Sequence, residues 1–244
     1  MALSPLSPEP PRPVHELLAE VRPRERAPEG RPFVFLNMIT SADGRAALDG
    51  TTAALGGDDD LELLLELRAL ADAVLIGLGT LRAEGYDRLL RRPGRRERRR
   101  AAGLADDPLA VLLARRFDVP WDAGLFQAPE QPVLVYAGPG AGEPPAVPAP
   151  VEVVRLDDPT PAAVLGDLRA RGVRALLCET GPTLNRALLA DGLVDELFLT
   201  VAPLLTADAD APAIVAGPRL PAPARLELRW VLQSGAELFL RYGL

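Results

Sequence analysis

The stretch Leu176–Leu189, LLCETGPTLNRALL, decides how the rest of the chain is read. An apolar run ends on an acid, Glu179, turns at Thr180-Gly181-Pro182, and resumes with apolar residues at helical spacing. A short continuous apolar run is the pattern of a strand buried on both faces, and proline suits the first position of a helix. Residues 174–179 are therefore predicted as a strand and 182–190 as a helix. A carboxylate at the end of a buried strand costs several kcal/mol unless it is paired or hydrogen-bonded. Glu179 thus needs a partner, which is either a structural arginine or a ligand. Beyond it, Gly181 lets backbone and ligand approach closely, and Pro182 begins the helix. The N–H groups of Thr183, Leu184 and Asn185 are expected to point out of the helix start, where donors and dipole attract a pyrophosphate.

Reading outward, the same alternation recurs. FVFLNM (33–38), AVLIG (73–77), LAVLLA (109–114), VLVYAG (133–138) and VEVVRL (151–156) read as strands. DDDLELLLELRALA (58–71) opens on acids and keeps helical spacing, and TPAAVLGDLRARG (160–172) carries a threonine cap, proline at its first position and glycine at its end. The tail from Val194 is strand-rich, with a hairpin expected at Ser234-Gly235. Strands alternating with helices imply α/β architecture: a mostly parallel central sheet with helices on both faces and an antiparallel C-terminal edge. Residues 1–31 read as an N-terminal arm, partly extended, with a possible short helix at 14–21. Residues 32–244 read as a single domain. RRPGRRERRR (91–100), with proline and glycine among its arginines, reads as a mobile, solvated loop.

Composition narrows the chemistry. The 244 residues carry a net charge of -7, which argues against general nucleic-acid binding. All 27 basic residues are arginines, so a lysine Schiff base or a P-loop lysine is excluded. One histidine and one cysteine cannot build a Cys/His zinc site, and no metal is expected. The lone cysteine fits a reducing cytoplasm. No apolar run is long enough for a membrane span, and the N-terminus lacks the pattern of a signal peptide.

Open parallel sheets bind ligands beyond the carboxyl ends of their strands. Besides the Glu179 corner, two segments deliver polar groups there. VLIGLGTLRAEG (74–85) places Gly77 and Gly79 at a strand end, with Thr80 able to cap a helix or touch a phosphate; a plain structural turn explains it equally well. NMITSADGRAALDGTTAALGG (37–57) brings Asn37, Thr40, Ser41 and Asp43 to one corner, with a tight turn at Asp43-Gly44. Arg115 and Arg116 lie just past a strand end, where a cofactor 2′-phosphate could sit or where both could simply be solvated.

NMITSADGRAALDG, ADAVLIGLGTLRAEGY and CETGPTLNRALLADGLVDELFLTVAPLL occur in the order and spacing of one family. Over about residues 32–243 the chain resembles the reductase domain of the bifunctional riboflavin-biosynthesis deaminase/reductase, the RibD C-terminal family, and its stand-alone branch in high-GC bacteria. The resemblance implies a dihydrofolate-reductase-like fold and NADPH-dependent hydride transfer to a pyrimidine-type substrate. By motif, Thr80 and the run from Gly181 to Arg186 would contact NADPH, with Thr40 and Ala54 nearby. Arg68, Thr52, Glu84 and Glu179 would face the substrate. Activity on a pterin, as in dihydrofolate reduction, and a silent NADPH-binding role are the other readings. The family carries an Asp-Asp-Pro stretch with a later arginine where this chain has AEGYDRLL, and the zinc deaminase domain is absent. A homodimer through the apolar C-terminal strands is also expected, since they leave a sheet edge that needs cover.

Overall fold

The computed structural model describes residue 10 and residues 12–244; the beginning of the expected arm lies outside the described residues. In chain order the elements are α1 (Val14–Ala19), β1 (Phe33–Ser41), α2 (Asp58–Leu70), β2 (Ala73–Ile76), α3 (Leu78–Ala83), α4 (Pro93–Ala101), β3 (Leu109–Ala114), β4 (Val133–Ala137), β5 (Val151–Arg155), α5 (Pro161–Ala170), β6 (Ala175–Glu179), α6 (Pro182–Ala190), β7 (Glu196–Ala202), β8 (Glu227–Ser234) and β9 (Glu237–Gly243). All nine strands join one sheet, ordered β5-β4-β3-β2-β6-β1-β7-β9-β8. Neighbours from β5 to β7 pair in parallel, and β9 pairs antiparallel with β7 and with β8. This is the mostly parallel sheet with an antiparallel edge that the sequence predicts.

The apolar runs are continuous because alternate residues feed two cores. Phe33, Phe35, Val74, Ile76, Leu112 and Leu177 face α2, with Leu63 and Leu67 among their partners. Val34, Leu36, Leu75, Val111, Leu176 and Cys178 face the other way, toward Val164, Leu165 and Leu168 of α5 and Leu188 of α6. Each large side chain so buried contributes about 1.5–3 kcal/mol. The caps act as expected at α5, where the Thr160 hydroxyl accepts from the Ala163 amide at 3.2 Å. The hairpin also forms as expected: Ser234 pairs with Glu237, and Gly235 takes a positive φ of 54°. None of the described helices is long and apolar enough to cross a membrane.

Two expectations need correction. Residues 91–100 are not a solvated loop: they enter α4, which packs against α2. Arg95 and Arg99 are buried. Arg95 bonds Glu66 and pairs with Glu62, one helical turn apart on α2, and Arg98 also reaches Glu66. Charge density made the segment look solvated, but its counter-charges lie on a helix about thirty positions away in sequence. The described part of the N-terminal segment is also packed onto the domain. Leu18 and Val21 join the α2-side core, and Arg31 grips Asp195 with bonds of 2.6 and 2.8 Å.

The connectivity sets the crevice. The chain runs from β1 to β2, out to β5, and returns to place β6 between β1 and β2. The carboxyl ends of these three central strands therefore open side by side, at a reversal of strand order. β6 pairs Glu179 with Ile76 of β2 and Cys178 with Leu36 of β1, so Asn37 lies one residue beyond that last pair.

Candidate active site

A cleft of about 960 Å³ opens over these strand ends, walled by α2, the loop before it, α3 and the segment that leads into α4. Its floor carries Glu179, which is 5% exposed. The strand parity that sends Leu177 toward α2 sends Glu179 the same way. There the Arg68 guanidinium, on the last turn of α2, meets it in a fork: Nε donates to Oε1 at 2.7 Å and Nη2 to Oε2 at 2.6 Å. The Tyr86 hydroxyl donates to Oε2 at 2.5 Å, and the Arg68 guanidinium lies 5.2 Å from the Tyr86 ring centre. Burial opposes the charge on Arg68, but the carboxylate outweighs it and the arginine is held more firmly protonated. Burial, reinforced by the Glu179 charge, pushes the Tyr86 phenol well above its ordinary range. Glu179 is thus a carboxyl group held by three protein donors. Of the roughly four acceptor positions on a carboxylate, about one is left.

The two glycine corners meet beside this acid. The Gly77 amide donates to the Glu179 carbonyl at 3.2 Å. A side chain at Gly77 would lie 2.9 Å from the Gly181 nitrogen and 3.3 Å from the Thr180 Cα, so this glycine serves strand-corner packing. Gly181 differs: a Cβ there would meet nothing closer than the Thr80 hydroxyl, at 3.9 Å. Open space over a helix start, with a hydroxyl alongside, fits a phosphate of an extended cofactor.

The helix start corrects one expectation. The Leu184 and Asn185 amides do not point outward, because both donate to the Gly181 carbonyl. Exposed Thr183 remains at the first turn. The Asn185 side chain is buried: it accepts from the Thr180 hydroxyl and donates to the Ile214 carbonyl at 2.8 Å. Arg186 donates to the Pro218 carbonyl at 3.0 Å. Both side chains thus anchor the 214–219 segment.

The same cleft also carries unsatisfied groups. Asn37 and Asp60 line the cleft. Asn37 Oδ1, Asp60 Oδ1 and the nearby Thr200 hydroxyl are buried without a hydrogen-bond partner among the described residues. Burial raises the Asp60 pKa, and Glu237 adds to the rise; the Thr200 hydroxyl opposes it without the geometry of a hydrogen bond. Thr52 and Glu84 also line the cleft, and Glu84 accepts the Thr52 amide at 2.8 Å, which ties the loop before α2 to the end of α3.

In this geometry, residues 32–240 match the RibD C-terminal domain. The chain belongs to the RibD C-terminal family. It is 30% identical to a 2,5-diamino-6-ribosylamino-4(3H)-pyrimidinone 5′-phosphate reductase of Archaeoglobus fulgidus, over 81% of this chain and 92% of that one. It is also 30% identical to the enzyme of the same name from Methanothermobacter thermautotrophicus, over 87% and 98%. Among solved structures, a pyrimidine reductase-like protein of Corynebacterium diphtheriae superimposes with a TM-score of 0.78 at 26% identity, covering 94% of this chain and 98% of that one.

Set against that family's pattern, the expected residues divide. Asn37, Thr52, Arg68, Glu84, Glu179, Gly79, Thr80, Gly181, Pro182 and Asn185 line the cleft. Asp43 is exposed and lies outside it; it accepts from the Ser41 hydroxyl at 2.5 Å and from the Ala207 amide at 2.8 Å, fixing the turn after β1 to the 204–207 segment. These bonds, Ser41 first, hold its carboxyl well below the usual range. The Thr40 hydroxyl donates to the Ser41 carbonyl at 3.1 Å, and Ala54 is exposed on the loop before α2. Arg115 donates to the Pro159 carbonyl at 3.1 Å, outside the cleft, with Arg116 exposed beside it. Sequence reasoning missed Tyr86 and Asp60. Tyr86 sat in plain view within AEGYD, where the family pattern departs, and Asp60 was read only as a favourable acid at a helix start.

Proposed function

We propose that this chain is a NADPH-dependent reductase of a pyrimidine that carries a ribosylamino 5′-phosphate, in the formation of riboflavin. The observation that carries the reading is the juxtaposition at the β6 end: a forked Arg68–Glu179 pair on the cleft floor and, two residues on, an unobstructed helix start at Gly181. NADPH, when bound, supplies the hydride. This chain aligns the two partners and excludes water, which is most of what hydride transfer asks of a protein. The Gly181 turn, Thr80 and the Thr183 end of α6 would hold the cofactor phosphates. Glu179 offers its remaining acceptor position to a ring N–H or amino group. Asn37, beside Glu179 in the sheet register, and Asp60 add acceptors to the same cleft. The phosphorylated end of the substrate is expected toward Arg92, an exposed arginine of the cleft rim.

The test is NADPH oxidation with the diaminopyrimidinone and the aminouracil forms of the ribosylamino phosphate, and with dihydrofolate. Turnover of either ribosylamino phosphate, with dihydrofolate inert and NADPH preferred over NADH, supports the reading. Turnover of dihydrofolate alone, or of none, overturns it. The chain is also proposed to pair with a second copy through the C-terminal hairpin, where Leu226 and Leu228 are exposed at the edge strand β8 and Leu238 on its neighbour β9. A monomeric mass by light scattering at micromolar concentration would contradict this.

A further inference from the structure

The arginine run that reads as a solvated loop contains a residue whose contacts lead to the cleft floor. The Arg99 side chain is 2% exposed, yet no carboxylate of the described residues bonds it. Its Nη1 donates to three carbonyls at the end of α2: Arg68 at 3.3 Å, Ala69 at 3.0 Å and Ala71 at 2.5 Å. Its Nε donates to the Ala105 carbonyl at 2.7 Å. The last carbonyls of a helix have no partner within it, and a cation placed there satisfies them and complements the dipole. Burial lowers the Arg99 pKa to about 10, with Asp72 and Asp107 opposing the fall, so it stays charged at neutral pH.

The residue whose carbonyl Arg99 grips is also the residue whose side chain grips Glu179. Arg68 spans from the end of α2 to the acid, and a fork with bonds of 2.6 and 2.7 Å tolerates little displacement of its backbone. Two other α4 arginines hold α2 through a side chain two residues before Arg68: Arg95 and Arg98 meet at Glu66. Arg99 alone among these contacts holds the backbone of Arg68 itself.

We propose that Arg99 is a positioning residue for the candidate active site: by holding the terminal carbonyls of α2 it fixes the backbone from which Arg68 locks Glu179 and Tyr86. Its effect on turnover rests on the reading of Arg68 and Glu179 as substrate-facing groups. Its effect on their geometry does not.

The experiment therefore carries one readout that needs no substrate. The chain has three tyrosines, so fluorotyrosine labelling gives three ¹⁹F resonances, with that of Tyr86 assigned from Tyr86→Phe. In Arg99→Met the Tyr86 resonance is expected to move in the same direction as in Arg68→Met, while those of Tyr136 and Tyr242 stay in place. KM for the ribosylamino phosphate should rise roughly tenfold with kcat within about threefold, and NADPH affinity should not change. Arg99→Lys, which keeps the charge but loses the fork, should restore part of both effects, and it carries the measurement if Arg99→Met does not fold. Adding Arg99→Met to Arg68→Met should change KM no further, because the two act through one contact. A Tyr86 resonance that stays put in a folded Arg99 variant, a common shift of all three resonances, or additive KM effects would each overturn the proposal. A shifted Tyr86 resonance in a chain that turns over neither ribosylamino phosphate would uphold the positioning role and sink the functional reading instead.

Discussion

Two sets of polar groups in and beside the cleft solve their burial in opposite ways. At the β6 end, Glu179, Arg68 and Tyr86 partner one another. Close by, Asn37 next to Glu179 in the sheet register, Asp60 on the same helix as Arg68, and Thr200 near Asp60 each keep a buried oxygen with no partner among the described residues. A saturated cluster is rigid, and breaking it leaves a buried charge uncompensated, at a cost of about 3–5 kcal/mol. An unsaturated group costs stability as it stands, about 1–3 kcal/mol each where water cannot enter. The first set therefore presents a fixed shape, and Asn37 and Asp60 present acceptors to the cleft for something that brings donors.

The largest expected effect comes from breaking the saturated side. Glu179→Gln should lower kcat/KM by about a hundredfold or more and lower the melting temperature, because Arg68 loses its counter-charge. NADPH affinity should stay within a few-fold. A variant that keeps wild-type turnover and stability would remove the contrast between the two sets altogether.

Gly181→Val tests the space beside that cluster. The backbone there is open, so stability should change little, while NADPH affinity should fall by roughly tenfold or more through obstruction of the helix start. Fluorescence titration of the cofactor beside thermal unfolding separates the two. Unchanged affinity would place the cofactor elsewhere.

Asn37→Leu should have the opposite signature to Glu179→Gln. Removing an unpartnered acceptor should leave stability unchanged or raise it by about 1 kcal/mol, while ligand affinity drops up to about tenfold. A clear loss of stability would mean that Asn37 is satisfied by an internal water and belongs with the saturated set.

The smallest effect concerns pH. The folded state raises the Asp60 pKa through burial and Glu237, so it holds this proton more tightly than the unfolded chain does. The stabilisation is complete below the ordinary carboxylate pKa and is lost as pH rises through the raised value. Asp60→Asn should therefore gain stability relative to wild type as pH increases across that window, measured by chemical denaturation at several pH values. A difference that is flat with pH would show that Asp60 ionises normally and that its surroundings are wetter than its burial suggests.

Much of this arrangement was legible without coordinates, and the failures share a cause. The strands and helices around Glu179 could be read because periodicity and end signals are local: an apolar run, then glycine and proline, fixes a corner wherever it lies. The choice between an arginine and a ligand for Glu179 could not be read, since the partner stands 111 positions away and its identity depends on the rotation of α2. The outward-pointing amides failed for a smaller reason: the first turn of α6 is tight, and the Gly181 carbonyl takes both the Leu184 and Asn185 amides.

The sequence by itself determined a parallel α/β sheet, its antiparallel edge, and a glycine-proline corner beside a buried acid, because backbone conformation and alternation of burial are written residue by residue. Only the tertiary structure decided which polar groups are consumed by one another and which are left over. It turned seven arginines in ten residues into a helix clamped on α2, gave Arg68 to Glu179, gave Asn185 and Arg186 to the 214–219 segment, and left Asn37 and Asp60 unpartnered. The reason is physical: a buried hydrogen bond requires two groups within about 3 Å in a set orientation, and no local pattern encodes which distant group will stand there.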